Sequence, residues 1–142
     1  MKPLVILSLL FVLLTGAPVR AAELEIVVRG SGLETGVISI SLFLDQSSYL
    51  KKPLSELRLP AGDGNQVTGI FRNLTAGVYA VTVIHDRNSN GELDTNFFGI
   101  PTESYGFSNN ATAMFGPPSF SEVSIKIGKR SMSHIIVLGK AD

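Results

Sequence analysis

The chain has 142 residues and a mass of 15.2 kDa, a size that is typical of a single domain. It contains 12 basic and 12 acidic residues, so it lacks the strongly basic balance of a nucleic-acid-binding protein, and we expect no nucleic-acid partner. The absence of cysteine excludes disulfides, zinc–thiolate sites, thiol catalysis and acylation of a lipoprotein cysteine.

The N-terminus is typical of an export signal. The apolar run at 4–14 is shorter than the ~20 residues that a helix needs to cross a bilayer, but it suits the core of a signal peptide. Val19 and Ala21 fit a cleavage site after Ala21. We therefore expect residues 1–21 to be removed and residues 22–142 to act in the periplasm or exterior of a bacterium. The alternative is an uncleaved anchor. No second apolar run follows, so we expect no stable membrane insertion after signal removal.

Alternation of apolar and polar residues, the pattern of β-strands, dominates the rest of the chain. It predicts strands at 24–28, 36–44, 56–59, 66–71, 77–86, 119–127 and 131–138, with a tight turn at 128–130 joining the last two. In the second strand we expect Leu44 to face inward and Ser39 outward. The strand at 77–86 is apolar on both faces, which indicates a central position. No segment has a convincing helical period. About seven short strands with Gly/Pro-rich turns predict an all-β fold, an antiparallel β-sandwich of immunoglobulin-like or prealbumin-like type.

A structural role is predicted for the start of the strand at 77–86. The spacing of Leu74, Gly77 and Tyr79 places a tyrosine where the strand enters its sheet. The hydroxyl of such a tyrosine can bond back to nearby backbone, as in a tyrosine corner. We therefore interpret Gly77 and Tyr79 as structural.

The long loop at 87–118 has no clear strand or helix pattern. Loops of this length in compact domains are usually functional or disordered, and disordered segments are poor in aromatic residues. We therefore expect this loop to fold over one end of the sandwich and to form a binding surface. The predicted surface residues are Phe97, Phe98, Glu103, Tyr105, Phe107, Asn109 and Phe115. Exposed aromatics would indicate a partner or ligand surface, and buried ones the core of the loop.

The residues that begin this loop have the spacing of a calcium-binding loop. Oxygen-bearing side chains alternate as in Dx[DN]x[DN]G, in which the glycine permits a sharp turn, so Gly91 is interpreted as structural. The candidate calcium ligands are Asp86, Asn88, Asn90, Glu92 and Asp94.

Two interpretations of this loop stay open. An EF-hand requires a glutamate at its twelfth position, where this chain has Phe97, so Glu92, Asp94 or Glu103 would have to replace it. The alternative is a polar hairpin in which the same side chains form Asx turns without a metal. Calcium is the one cofactor that the pattern indicates.

Catalytic interpretations have less support. His85 and Asp86 are neighbours on a predicted strand, so they point to opposite faces and cannot form a base-and-orienter pair. The loop serines lack a nucleophile-elbow motif. A carboxylate pair of Asp94 and Glu103, of glycosidase type, has only their shared loop in its favour. Because none of these arrangements is supported, we expect no enzymatic activity. The enzyme alternative requires a pocket under the loop that contains His85 or Glu103.

The same segment carries a family resemblance. It reads HDRNSNGELDTNFFGIPTE at 85–103, YGFSNN at 105–110 and FGPPSF at 115–120. These motifs closely resemble the bacterial family catalogued as domain of unknown function 2141, and the resemblance covers essentially the whole exported part. It implies an exported single-domain protein and no particular activity. The segment at 77–79 is also similar to prealbumin-like and carboxypeptidase regulatory-like sandwiches, modules that mostly bind or stabilise rather than catalyse.

The leading hypothesis is an exported binding or accessory module whose long loop recognises a protein or small ligand. The first alternative is a structural or envelope-assembly protein that pairs through its strand edges. The second is an enzyme with a site under the loop.

Overall fold

The computed structural model describes residues 21–62 and 64–139. The predicted signal peptide falls almost wholly on residues outside these ranges, so its presence and cleavage stay predictions. The strands are β1 Ala22–Arg29, β2 Val37–Phe43, β3 Ser55–Pro60, β4 Gln66–Leu74, β5 Gly77–Asp86, β6 Tyr105–Phe107, β7 Ser124–Ile127 and β8 Met132–Val137. One turn of helix, α1, spans Phe120–Val123, and a 3₁₀ turn spans Ser108–Asn110. None of the described helices is long and apolar enough to cross a membrane.

The strands form two sheets that pack together, which confirms the predicted β-sandwich. The first sheet has the order β4-β1-β8, and the second has the order β3-β2-β5-β6 with β7 also paired to β5. β5 pairs with β2 along one edge and with β6 and β7 along the other, so the central position predicted for 77–86 is confirmed. The pairings are antiparallel except for β1 with β8, which run parallel.

The main core lies between the sheets. Because successive strand residues point to opposite faces, every second residue of β1 enters this core, and Leu24, Ile26 and Val28 are fully buried. A second, smaller core covers the outer face of the larger sheet and consists of Phe43, Tyr49, Ala80, Phe107 and Val123. This second core is the reason that β5 is apolar on both faces.

Tyr79 is buried in the main core at the start of β5. Its hydroxyl donates a hydrogen bond to the carbonyl oxygen of Thr75 over 2.9 Å. Gly77 lies against the ring, and a Cβ added there would come within 3.4 Å of a ring carbon of Tyr79. The hydrogen bond from Tyr79 to Thr75 holds the turn by which the chain enters β5.

The end of the chain differs from its predicted structure. The expected strand at 119–127 begins as α1, because Ser119 and Glu122 form a capping box that starts a helical turn. The turn at 128–130 joins no hairpin, since β7 pairs with β5 in one sheet and β8 pairs with β1 in the other.

One side chain of the second strand and part of the long loop were also predicted wrongly. Leu44 is 46 % exposed, because β2 ends at Phe43 and the alternation ends with it. Ser39 lies on the outer face of β2, opposite to the main core, but it is buried there. The loop at 87–118 contains a strand, β6, which is too short to leave a period in the sequence and is held by pairing with β5.

Candidate functional site

The long loop begins at the end of β5, where two buried polar residues lie on opposite faces of the sheet. His85 faces the main core, and its Nε2 lies 2.7 Å from the carbonyl oxygen of Thr35. Asp86 faces outward, where the chain turns over it. The two side chains therefore have separate partners, as their neighbouring positions on a strand require.

Asp86 organises the first turn of the loop through three donors. Its Oδ2 accepts hydrogen bonds from the guanidinium of Arg58 over 3.0 Å and from the backbone N–H of Gly91 over 2.8 Å. Its Oδ1 accepts the backbone N–H of Asn90 over 3.0 Å. Gly91 has a φ of +89°, a backbone conformation that residues other than glycine adopt only at a cost in free energy. This supports the interpretation of Gly91 as a structural residue.

The contact with Arg58 follows from strand register. Arg58 of β3 pairs with Ser39 of β2, and Asp86 of β5 pairs with Val37, so both side chains lie on the same face of the sheet. The long arginine side chain reaches across β2 to the buried carboxylate. Burial is the largest influence on the pKa of Asp86 and raises it. The hydrogen bonds and the charge of Arg58 together outweigh burial and hold this pKa below its usual value of 3.8.

The predicted calcium ligands Asn88, Asn90 and Asp94 lie together on the outside of this turn. The side-chain amide of Asn88 donates to Asp94 Oδ2 over 2.6 Å, and that of Asn90 donates to Asp94 Oδ1 over 2.9 Å. The amide oxygens accept backbone hydrogen bonds from Asn90 and Glu92, in Asx turns. The amide nitrogens therefore face the carboxylate. Among residues 21–62 and 64–139, no group of three or more His, Cys, Asp or Glu side chains is placed to hold a metal ion.

Glu103 lies beneath the loop and not on its surface, which corrects its prediction as a surface residue. Its side chain is buried. Its Oε1 accepts the backbone N–H of Arg87 over 2.8 Å, and its Oε2 accepts that of Asp94 over 3.1 Å. Glu103 thus fastens both ends of the turn at 87–94, a role that the sequence did not indicate.

The five loop aromatics divide into exposed and buried groups. Phe97, Phe98 and Phe115 are 97 %, 82 % and 104 % exposed. Phe107 is buried in the second core and Tyr105 is half-buried beside it, with ring centroids 5.7 Å apart. Phe97, Phe98 and Phe115 therefore lie on the surface of the loop, whereas Phe107 belongs to its core, which corrects the prediction of Phe107 as a surface residue.

The segment that carries Phe97 and Phe98 is a closed turn built on Asn96. The side-chain oxygen of Asn96 accepts the backbone N–H groups of Phe98 and Ile100 over 2.9 and 3.1 Å. Its backbone N–H donates to the Ile100 carbonyl, and its own carbonyl accepts the N–H of Gly99. The turn is therefore held by its own hydrogen bonds while it presents two phenylalanines outward.

A shallow groove of about 660 Å³ connects this turn to a second apolar tip at 114–117. Its walls are mainly apolar and include Leu50, Phe98, Ile100, Met114 and Phe115. Leu50 and Met114 were not among the predicted surface residues. Leu50 is distant in sequence, so no local pattern connects it to the loop. Neither His85 nor Glu103 lines this groove.

Asn109, also predicted as a surface contact, is exposed but is engaged within the protein. Its backbone N–H donates to Nε2 of His134 over 3.0 Å, and its side-chain amide donates to the carbonyls of Glu122 and Ser124. The next residue, Asn110, accepts the N–H of Val137 over 2.8 Å. These two asparagines attach the loop to β8 and to the end of α1.

Comparison with known proteins identifies a family. The model of a family described as "Uncharacterized protein conserved in bacteria (DUF2141)" matches residues 26–135, a range that includes the Asp86 turn and the apolar groove. No curated protein and no solved structure matches the chain.

Proposed function

This chain belongs to the bacterial family DUF2141, and we propose that it acts as an exported binding module. Its recognition surface would be the apolar face, which we define as Leu50, Phe97, Phe98, Ile100, Met114 and Phe115. The observation that carries this proposal is the near-complete exposure of Phe97, Phe98, Met114 and Phe115. Contiguous exposed apolar patches on soluble proteins mark sites of interaction.

The way in which the loop is held supports this role. Glu103 and Asp86 fix its first turn, and Asn96 fixes the turn that presents Phe97 and Phe98. A surface that is ordered before binding loses little conformational entropy when it binds. The exposed phenylalanines contribute nothing to either core, so their presence is best explained by contact with a partner.

The alternative function, in which a partner strand pairs with an edge of a sheet, has less support than the apolar face, because the outer edge of β8 is covered. The outer edge of this strand carries the side chain of Asn110, which accepts from the N–H of Val137 and reaches the carbonyl of Ile135. An incoming strand would have to displace this asparagine. Covering an edge in this way is a common defence against unwanted pairing.

A photocrosslinking experiment on the full-length chain in growing bacteria tests the binding face. Benzoylphenylalanine replaces Phe98 or Phe115 in separate variants, and Val78, which is 45 % exposed on β5, provides the matched control position. We expect light-dependent adducts from positions 98 and 115 and none from position 78. Equal yields at the three positions, or no adducts from either phenylalanine position, would overturn the proposal.

Calcium binding at the Asp86 loop is the second candidate role, and we propose it on the convergence of Asn88 and Asn90 on Asp94. Turning both amides would direct two neutral oxygens and a carboxylate at one point, a donor set that suits Ca²⁺. Asp86 and the backbone of the loop would supply further oxygens. Without a cation, the hydrogen bonds described above are sufficient to hold the turn.

The melting temperature of the exported chain in EDTA and in millimolar calcium tests this second role. A ligand at ~100 times its dissociation constant stabilises a protein by about 2.7 kcal/mol, so we expect a rise of several degrees. Asp94→Asn should abolish the rise, whereas Asp45→Asn, in an exposed Asx turn elsewhere, should keep it. Equal melting temperatures in EDTA and calcium would leave the loop as a polar hairpin.

A further inference from the structure

We propose that the apolar face docks reversibly on the surface of an anionic lipid bilayer, with its two tips at the depth of the headgroups. The tips are the turn at 97–100 and the segment at 114–117. This inference rests on the proposed binding function and names its partner. Four observations on the described residues carry it.

The first observation is the shape of the face. Phe97 is 97 % exposed and Phe115 is 104 % exposed, so each ring projects from the surface as far as an isolated side chain would. Phe97 contacts Phe98 edge to face, with centroids 5.6 Å apart, so the two exposed rings form one apolar tip. A projecting apolar tip suits a medium that yields around it, and interfacial segments place such side chains roughly 5–10 Å into the headgroup–acyl boundary.

The second observation is the distribution of charge. Between Thr95 and Phe120, Glu103 is the only charged residue. It is buried, and both of its oxygens accept backbone hydrogen bonds. A charged side chain is costly to bring towards hydrocarbon, and this face would bring none.

The third observation concerns backbone donors. In a bilayer, an unpaired N–H group costs free energy because no water satisfies it. In the first tip, the N–H groups of Asn96, Phe98, Gly99 and Ile100 are bonded within the turn. The second tip ends in two prolines at 117–118, which have no N–H group. The first tip therefore satisfies most of its backbone donors within its own turn, and the prolines remove two donors at the end of the second tip.

The fourth observation is the charge at the rim. Leu50 lies in the groove, and the exposed residues Lys51 and Lys52 follow it directly, with both of their backbone N–H groups bonded to the carbonyl of Ser48. Leu93 also lines the groove, and Glu92 precedes it in the chain. An anionic surface attracts the two lysines, by about fivefold in affinity per lysine, and repels the single glutamate. The balance of these charges therefore favours an anionic bilayer over a neutral one.

Vesicle flotation tests this inference with the chain that is recovered after export. The eight described strands lie between Ala22 and Val137, so the exported form contains both described sheets. The probes are vesicles of phosphatidylcholine alone and of phosphatidylcholine with phosphatidylglycerol at roughly 3:1. Mass spectrometry first establishes that the apolar run at 4–14 has been removed, because this run would bind vesicles by itself.

We expect the exported chain to float with the mixed vesicles. Phe97→Ser and Phe115→Ser should each lower the partition coefficient about 10-fold, because each removes a phenylalanine from the lipid contact. Val78→Ser is the matched control and should leave the partition coefficient unchanged. A Lys51→Gln/Lys52→Gln double variant should lose affinity for the mixed vesicles and keep its affinity for the neutral ones. Unchanged melting temperatures establish that every variant is folded.

Flotation and crosslinking together distinguish failure of lipid docking from failure of the proposed binding function. No flotation at millimolar lipid, or equal flotation of the wild type and the phenylalanine variants, overturns lipid docking. If crosslinking at Phe98 and Phe115 then yields protein adducts, the binding face stands and its partner is a protein. If crosslinking also fails, both proposals fall.

Discussion

The guanidinium of Arg58 lies 3.0 Å from the carboxylate of Asp86 across an intervening strand. The two partners differ in environment, since the arginine side chain is 38 % exposed and the aspartate side chain is 1 % exposed. Water partly screens the arginine, whereas the aspartate depends on its three donors. The pair ties edge strand β3 to the start of the long loop, so the order of the loop depends on a residue outside it.

Asp86→Ala should lower the free energy of unfolding by about 3 kcal/mol, because it removes the acceptor of the Gly91 N–H and of the Arg58 guanidinium. It also leaves the N–H of Asn90 with Asn88 Oδ1 as its single acceptor. Urea denaturation measures the loss. Asp45→Ala is the matched control, since Asp45 also accepts hydrogen bonds in a turn but is exposed, and it should destabilise the protein much less than Asp86→Ala does. Equal losses would show that Asp86 has no special role in stability.

Low pH should lower the free energy of unfolding, in part because Asp86 becomes protonated. The pKa of this group is lowered in the folded state, because its hydrogen bonds and Arg58 outweigh the opposing effect of burial. The resulting stability is fully present above 3.8, the usual pKa, and is lost as pH falls through the folded pKa. Asp86→Asn should therefore show a smaller loss of stability than the wild type below pH 3.8, measured by urea unfolding. Parallel losses would contradict this assignment.

The sandwich could be predicted from the sequence because strands and tight turns leave short, local patterns of residue types. The alternation in 77–86 marks β5 wherever its partners lie, and the spacing of Gly77 and Tyr79 marks the turn that precedes it. The contact of Arg58 with Asp86 could not be found in this way. It depends on the register of two strand pairs, and register is a property of the folded sheets.

The exposure of the aromatic residues in the long loop could not be predicted from local sequence patterns either. Phe97 and Phe107 lie in one loop of similar composition, yet Phe97 is exposed and Phe107 is buried. The difference arises because Phe107 belongs to β6, which pairs with β5, whereas Phe97 lies on the turn closed by Asn96. Composition predicted an ordered loop but not which of its rings would face solvent.

Tyr49→Phe should leave stability unchanged or raise it by up to about 1 kcal/mol. The ring of Tyr49 packs against Phe43 and Phe120, but its buried hydroxyl has no hydrogen-bond partner among the described residues. Burial, with a smaller contribution from the charge of Glu122, raises the pKa of this hydroxyl to about 12. Removing a buried hydroxyl without a partner removes only its desolvation cost.

Tyr79→Phe is the matched comparison for this substitution. It deletes the hydroxyl that donates to Thr75 and should cost about 1 kcal/mol in urea denaturation. If Tyr49→Phe proves as destabilising as Tyr79→Phe, the Tyr49 hydroxyl must have a partner.

His134 should make the free energy of unfolding depend on pH in a second range, below pH 6.5, where stability should decrease as the pH falls. Its Nε2 accepts the N–H of Asn109, which requires an unprotonated nitrogen, and burial lowers its pKa below 6.5. Because the unfolded chain takes up the proton more readily, this contribution is complete above pH 6.5 and declines as pH falls from 6.5 towards the folded pKa. His134→Gln keeps a hydrogen-bond acceptor without the titration, so its stability should vary less over this range in urea unfolding. Amide exchange at Asn109 should also accelerate with acidity in the wild type relative to the variant, because protonation removes its acceptor. If the two proteins have the same pH dependence in both measurements, His134 does not control the attachment of the loop to β8.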